Sequence, residues 1–376
     1  MIKNPIFIFG MMRSGTTLLS KMLSAHQEIT IPSDPYMQFF KSYRNEYFLK
    51  EGANNFLPEC PLGEELTTYN QVINEKMFNS NFDLKIDKVP LETTKENICN
   101  QALRDSPKII SHVKKIKASN YSDLLDQLMK IIYKSYGNLD TTRYGFKSTF
   151  SEQFISSILN KYKNAKCICI IRDPRAIYAS HVNEHQKQYP ILFTIKQWRK
   201  AISFYLKLSE LNNQVYTIKY EDLIRNKEDE LKKISNFLKI KYETNMSDES
   251  LFINGDGGKW LKNSSYTKVD DNKDIFDTWK SKLSKKDIEL IEYLTQYELE
   301  HYKYSSTYNF NNFSSKSFSS HENINSIYDW VLPFYKKYSL NDKNMHLETQ
   351  RIKNIEIMRR NSELKRCILE NFLYAD

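Results

Sequence analysis

Two stretches of this chain carry residue types that hold phosphate-like or sulfate-like anions. The first is Gly10-Met-Met-Arg13-Ser14-Gly15-Thr16-Thr17, directly after the apolar run PIFIF. It fits the phosphate-loop frame GxxxxG[KST][ST] in every respect but one. Nucleoside triphosphatases need Lys after the second Gly to reach the β- and γ-phosphates, and that position here is Thr16. The rest of the chemistry survives. A strand feeds a Gly-flanked turn, backbone N–H groups converge on an anion, and a helix N-terminus adds its dipole. Arg13, Ser14, Gly15, Thr16 and Thr17 are therefore expected to grip a phosphate or sulfate, in a loop poorly built for ATP or GTP hydrolysis. The plain alternative is an ordinary strand-turn-helix capped by Ser14.

The second stretch is CICIIRDPRAIYASH, in which Arg172 ends an apolar run and Ser180 lies two helical turns further on. A guanidinium and a hydroxyl so spaced can close on one phosphate from two sides. Alone, RDPR reads equally well as a helix start with salt bridges. Its value lies in being paired with the first loop.

These residues need elements to position them. Pro5–Phe9 reads as a strand, and Leu18, Leu19, Met22 and Leu23 recur at helical spacing behind the loop. Lys166–Ile171 reads as a buried strand followed by a helix that starts at Asp173-Pro174. VYTIKY, from Gln214, precedes one long amphipathic helix, EDLIRNKEDELKKISNFLKI. Strands alternating with helices point to the α/β class, a phosphate-loop-like, doubly wound parallel sheet flanked by helices. Between about residues 36 and 144 strand signals are absent, and a mostly helical insertion forming the acceptor side is expected. Leu124–Tyr136 and Ser151–Tyr162 read as helices. Residues 1–304 read as the principal domain, 305–323 as a Ser/Asn-rich linker, and 324–376 as a helical C-terminal extension.

Composition narrows the function classes. The chain has 376 residues, with 55 Lys and Arg against 46 Asp and Glu, a net charge of +9 that suits an anionic ligand. Hydrophobic residues at 40% and aromatics at 13% indicate a packed globule. No aromatic-interleaved basic motif supports nucleic-acid binding. The five cysteines are irregularly spaced and form no CxxC pair, so packing in a reducing cytoplasm is expected in place of disulfides. No cluster of His, Cys or carboxylates implies a metal. MIKNPIFIFG is too short for a signal-peptide core, and no later run is long enough for a membrane span.

PIFIFGMMRSGTTLLSKMLSAH resembles the 5′-phosphosulfate loop of the sulfotransferase superfamily that uses 3′-phosphoadenosine-5′-phosphosulfate (PAPS). CICIIRDPRAIYASH resembles its 3′-phosphate motif. GFKSTF with Lys147, KYEDL with Tyr220, WLKNSSY with Ser264 and Ser265, and DTWKSKLSKKDIELIEYL resemble further family segments in family order. The similarity runs from about residue 4 to 304, and its RSGTT loop is nearest the tyrosylprotein and bacterial branches. It implies PAPS as donor, PAP as product and a carbohydrate, lipid, peptide or small-molecule acceptor.

The resemblance also implies roles. Arg172 and Ser180 take the 3′-phosphate, and Tyr220, Ser264 and Ser265 complete the nucleotide site. Arg13 and Lys147 neutralise charge on the sulfuryl group, with Ser265 as a hydroxyl donor. RSGTT-loop relatives place a catalytic glutamate after the loop's helix. Here TIPSDPY offers Asp34, one methylene shorter, as general base. A carboxylate there equally forms an Asx-turn or helix cap before Pro35, and His112 is the reserve base. The rival readings are a phosphate-loop kinase or NTPase and a non-catalytic PAP-binding module.

Overall fold

The structure is a computed structural model and describes residues 4–52, 57–68, 71–184, 188–260, 276–308 and 324–371. In chain order, β1 (Ile6–Phe9) leads into α1 (Thr16–Ser24) and β2 (Ile29–Thr30). Helices follow as α2 (Met37–Lys50), α3 (Glu65–Thr68), α4 (Gln71–Phe78), α5 (Lys88–Asp105), α6 (Ile110–Val113) and α7 (Tyr121–Tyr136). Next come β3 (Arg143–Ser148), α8 (Ile155–Lys161), β4 (Lys166–Ile171), α9 (Pro174–Glu184) and α10 (Ile191–Leu211). β5 (Val215–Lys219) is followed by α11 (Tyr220–Arg225) and α12 (Lys227–Leu238). The last described helices are α13 (Trp279–Lys282), α14 (Lys285–His301), α15 (Asp342–Arg359) and α16 (Leu364–Glu370).

The five strands form one sheet in the order β2-β3-β1-β4-β5, and every pairing is parallel. Parallel neighbours require crossover connections, which here are helical. The chain leaves β1 for β2 and β3 on one side, then crosses to β4 and β5 on the other. That reversal makes the carboxyl ends of the strands beside β1 the natural ligand crevice. β1 is the sheet's buried centre, with Ile6 to Phe9 at most 1% exposed. Ile8 faces Lys147 on one side and Ile168 on the other. The doubly wound α/β class expected from the sequence is the class observed.

Two strands were not legible in the sequence. β2 is only two residues long, and β3, RYGFKS, carries Arg, Gly and Lys within a six-residue run. The long helix expected after β5 is divided into α11 and α12, because Asn226 leaves helical geometry at φ −124° and ψ 48°. The insertion between β2 and β3 is helical. Its aromatic residues are largely core, since Phe39, Phe40, Tyr43, Phe82 and Tyr121 are at most 1% exposed. Edge-to-face pairs such as Tyr43–Phe82, 5.0 Å between centroids, and Tyr43–Tyr121, 5.2 Å, hold them together. These rings are spent on packing and do not line a binding surface.

The chain forms two compact units, Met1–Ile171 with Leu208–Leu261, and Arg172–Lys207 with Lys262–Asp376. The first contains the sheet. In the second, α15 is anchored by a buried ionic cluster. Arg199 makes a bidentate fork to Glu348 at 2.6 and 2.8 Å. Arg351 donates to Glu298 at 3.0 Å and to the Leu294 carbonyl at 2.6 Å. All four charged side chains are at most 1% exposed. The two arginines hold the Glu348 carboxyl down at about 2, against burial, which by itself would raise it. The tail beyond residue 324 therefore packs as part of this unit.

Candidate active site

Each strand delivers one group of candidates at its carboxyl end: the Gly10–Thr17 loop after β1, Asp34 shortly after β2, Lys147 near the end of β3, Arg172 next in sequence after β4, and Tyr220 next after β5.

The loop leaves β1 under tight constraint. A Cβ on Gly10 would lie 2.5 Å from Thr16 Cγ2, 2.6 Å from Ser14 Oγ and 2.7 Å from Ile170 Cγ2, so only glycine fits. Ser14 closes the turn by donating twice to the Met11 carbonyl, from its backbone N–H at 3.1 Å and its hydroxyl at 2.6 Å. In this conformation Ser14 shapes the loop. Arg13 and Gly15 are left-handed, with φ of 67° and 96°. Left-handed residues in such a turn point successive N–H groups toward a common concavity. α1 starts at Thr16 with no side-chain cap and no acidic residue in its first turn. Its N-terminus thus keeps the donors and the dipole that an anion requires. Thr16 is buried and Thr17 half-buried.

Tyr220 roofs the loop. A Cβ on Gly15 would meet its ring at 2.3 Å, so the second Gly of the motif makes room for this aromatic as well as for the turn. Tyr220 is itself 7% exposed.

Asp34 and Lys147 are brought together although they are far apart in sequence. The Lys147 ammonium is ion-paired to Asp34 Oδ2. The backbone fixes the same contact, with Asp34 N donating to the Lys147 carbonyl at 3.0 Å and Lys147 N to the Pro32 carbonyl at 3.1 Å. Thr149 Oγ1 approaches Asp34 Oδ1 at 3.4 Å. Gln101 of α5 donates to the Asp34 carbonyl at 2.6 Å and helps hold its left-handed backbone, φ 43°. The carboxylate does not cap α2, whose N-cap is Tyr36 without a side-chain bond. Thr149 escaped the sequence reading, although its spacing of two from Lys147 puts both on one side of an extended segment. His112 is half-buried on α6, and among the described residues no hydrogen bond or ion pair joins it to Asp34, Lys147 or the loop.

The second unit carries Arg172 and Ser180. Trp198 Nε1 donates to the Arg172 carbonyl at 2.8 Å. Asp173 begins α9 by accepting from Arg175 N at 2.8 Å, and its carboxylate also receives the Arg175 guanidinium at 2.6 Å. Arg175 stacks 4.0 Å from the Trp279 ring centroid and is ion-paired to Glu292. Ser180 is 4% exposed on α9. Arg175 was not assigned from the sequence, and its surroundings make it a structural anchor for the motif. Ser264 and Ser265 lie outside the described residues. Among the described residues no cluster of three or more His, Cys, Asp or Glu is arranged for a metal ion, and no helix is long and apolar enough to cross a membrane.

The profile described as the sulfotransferase family matches residues 5–244. No curated protein matches the sequence. Among solved structures, the sulfotransferase domain from the Synechococcus PCC 7002 olefin synthase is 18% identical, with a TM-score of 0.44, covering 77% of this chain and 94% of that one. The sulfotransferase domain from the curacin biosynthetic pathway is 17% identical, with a TM-score of 0.46, covering 81% and 99%. Retinol dehydratase in complex with retinol and PAP is 11% identical, with a TM-score of 0.39, covering 80% and 82%.

Proposed function

The chain belongs to the sulfotransferase family, and from that premise we propose that it moves a sulfuryl group from PAPS to a hydroxyl or amine of its acceptor. The observation that carries the donor assignment is the Gly10–Thr17 loop. It is built to hold an anion at the uncapped start of α1, yet has Thr16 where an NTPase needs lysine.

In this reading Arg13, Gly15, Thr16, Thr17 and the α1 N-terminus cradle the 5′-phosphosulfate, Ser14 sets the loop's shape, and Tyr220 packs over it. Arg172 and Ser180 hold the 3′-phosphate, and Ser264 and Ser265 complete the nucleotide site by resemblance. The acceptor oxygen attacks sulfur in line as the bond from sulfur to the 5′-phosphate oxygen breaks, and PAP departs with that electron pair. Asp34 takes the acceptor's proton. Arg13 and Lys147, with Ser265 as hydroxyl donor, balance charge on the sulfuryl and bridging oxygens. Catalysis then rests on positioning and charge stabilisation, as in phosphoryl transfer. Lys147 is paired with Asp34. A bound phosphosulfate offers the ammonium a second anion and frees Asp34 to act as base. The five cysteines are all buried and none is joined in a disulfide, which supports a reducing, cytoplasmic setting.

The test has two arms. PAP is expected to raise the melting temperature, and ATP with Mg²⁺ is not. Labelled PAPS is expected to transfer its sulfate in an acceptor screen. Stabilisation by ATP with Mg²⁺ and not by PAP would return the chain to the NTPase reading, and PAP binding without transfer to any acceptor class would favour a non-catalytic module.

A further inference from the structure

A pocket of about 90 Å³ lies in the sheet-bearing unit, between the C-terminal half of α1, β2 with its exit to Pro32, the end of α5 and the loop 251–255. Ile29, Ile31 and Phe252 give it apolar walls, while Lys21, Asp105 and Tyr136 supply polar groups.

Lys21 sets its chemistry. It stands one helical turn beyond Thr17 on the same face of α1. Among the described residues, no acceptor hydrogen-bonds its ammonium and no carboxylate lies within ion-pair distance. Asp105, the nearby carboxylate, is paired at 2.7 Å with Arg104. Burial lowers the Lys21 pKa to about 8. Asp105 and Asp256 act against that shift, and Lys147 adds to it. A half-buried cation without a contact partner in an apolar-walled pocket is an unfavourable arrangement that an anionic ligand would relieve.

Two hydrogen bonds tie this pocket to Asp34. Ser20, the residue before Lys21, meets the Ser33 hydroxyl at 3.3 Å. Ser106, the residue after Asp105, donates to the Ser33 carbonyl at 2.9 Å. Asp34 is the next residue in the chain.

We propose that this pocket is an acceptor subsite for a carboxylate carried on an apolar stem, with Lys21 as its counter-ion and Tyr136 as a second polar contact. The apolar walls select a hydrocarbon stem. The charge on Asp105 disfavours a dianion such as a phosphate monoester, and the small volume admits only a few heavy atoms. The acceptor class is then a hydroxy or amino carboxylic acid. The assignment rests on the sulfuryl-transfer reading only in taking the bound carboxylate as part of the acceptor.

The groups facing Lys21 are Asp105 at the end of α5, Asp256 directly after the loop 251–255, Lys147 on β3 and Tyr136 on α7. Burial raises the Tyr136 pKa, so its phenol stays protonated while Lys21 titrates. Carboxylate binding is therefore expected to weaken as pH rises through about 8.

The experiment is calorimetric titration of the full chain with butanoate, butanamide and methyl phosphate, alongside PAP on the same samples. Butanoate is expected to bind at least about tenfold more tightly than either analogue, and about tenfold more tightly to wild type than to Lys21→Met. Lys21→Arg is expected to keep butanoate binding, and Lys21→Met to keep PAP binding. Equal butanoate binding by wild type and Lys21→Met overturns the proposal, as does no butanoate binding by wild type on either side of pH 8. Failure of wild type to bind PAP would instead sink the donor reading and leave a carboxylate site standing.

Discussion

The ammonium of Lys147, on β3, is ion-paired to the carboxylate of Asp34, just beyond β2, and two main-chain hydrogen bonds hold the same segments in register. The proposed base and the proposed charge-neutralising lysine are thus a single unit that one substitution disturbs at both ends. Asp34→Asn is expected to lower kcat by about 10²–10⁴, the usual range for losing a general base. Lys147→Met is expected to lower kcat as well, and the double variant to lose less than the product of the two single losses, because the partners act together. Steady-state kinetics with an established acceptor decides it, and near wild-type kcat in Asp34→Asn ends the assignment.

Gly15 has two reasons to be glycine, a left-handed φ of 96° and the Tyr220 ring 2.3 Å from any Cβ. Gly52 has only the first, with φ 72° and nothing within 4 Å. Gly52→Ala is expected to cost about 1 kcal/mol and leave PAP affinity unchanged. Gly15→Ala is expected to cost more and to abolish PAP binding. Tyr220→Ala should return part of that lost stability in the double variant. Denaturant melts and PAP titrations give both readings, and equal costs at the two glycines would refute the account of Tyr220.

Arg13 and Arg172 are assigned to opposite ends of the nucleotide, so their losses are expected to differ. Arg13→Ala should abolish transfer and weaken PAP binding. Arg172→Ala should chiefly raise KM for PAPS, since the 3′-phosphate does not react. A loss confined to kcat in Arg172→Ala would contradict the assignment.

Glu348 links the second unit's stability to pH. Its carboxyl is held at about 2 by Arg199 and Arg351, below the ordinary 4.5, despite burial. The stabilisation is fully present above about pH 4.5 and is lost as pH falls toward about 2, on the order of 3 kcal/mol. Glu348→Gln is expected to remove this pH dependence. At neutral pH it should also destabilise the protein by about 3–5 kcal/mol, because it removes one of the two carboxylates, Glu348 and Glu298, that serve the two buried arginines. Melting temperature followed by circular dichroism against pH tests both, and parallel curves for the two proteins would contradict them.

Much of the fold could be read locally. β1 and β4 are apolar runs, β5 is rich in β-formers, and the helices behind them show their period in a few consecutive residues. β2 and β3 could not be read that way. Two residues carry no period, and β3 is fixed as a strand by pairing with β1 and β2 on either side, not by its own composition. The aromatic residues of the insertion were equally opaque, because a ring lining a site and a ring filling a core look the same in a sequence.

The phosphate loop that first stood out was determined by the sequence alone. Its two glycines, Arg13 and Thr16 in place of the NTPase lysine lie within one eight-residue stretch whose backbone demands are local, and the anion-holding role proposed for the loop rests on them. The tertiary structure decided what the loop works with. It packed Tyr220 against Gly15, brought Lys147 to Asp34, set Lys21 in a pocket with Asp105, and buried Glu348 between two arginines. Apart from Arg351, which is three residues from Glu348 on α15, each of those partners comes from a segment distant in the chain, and strand order and packing alone bring such segments within the few ångströms over which charge and contact act.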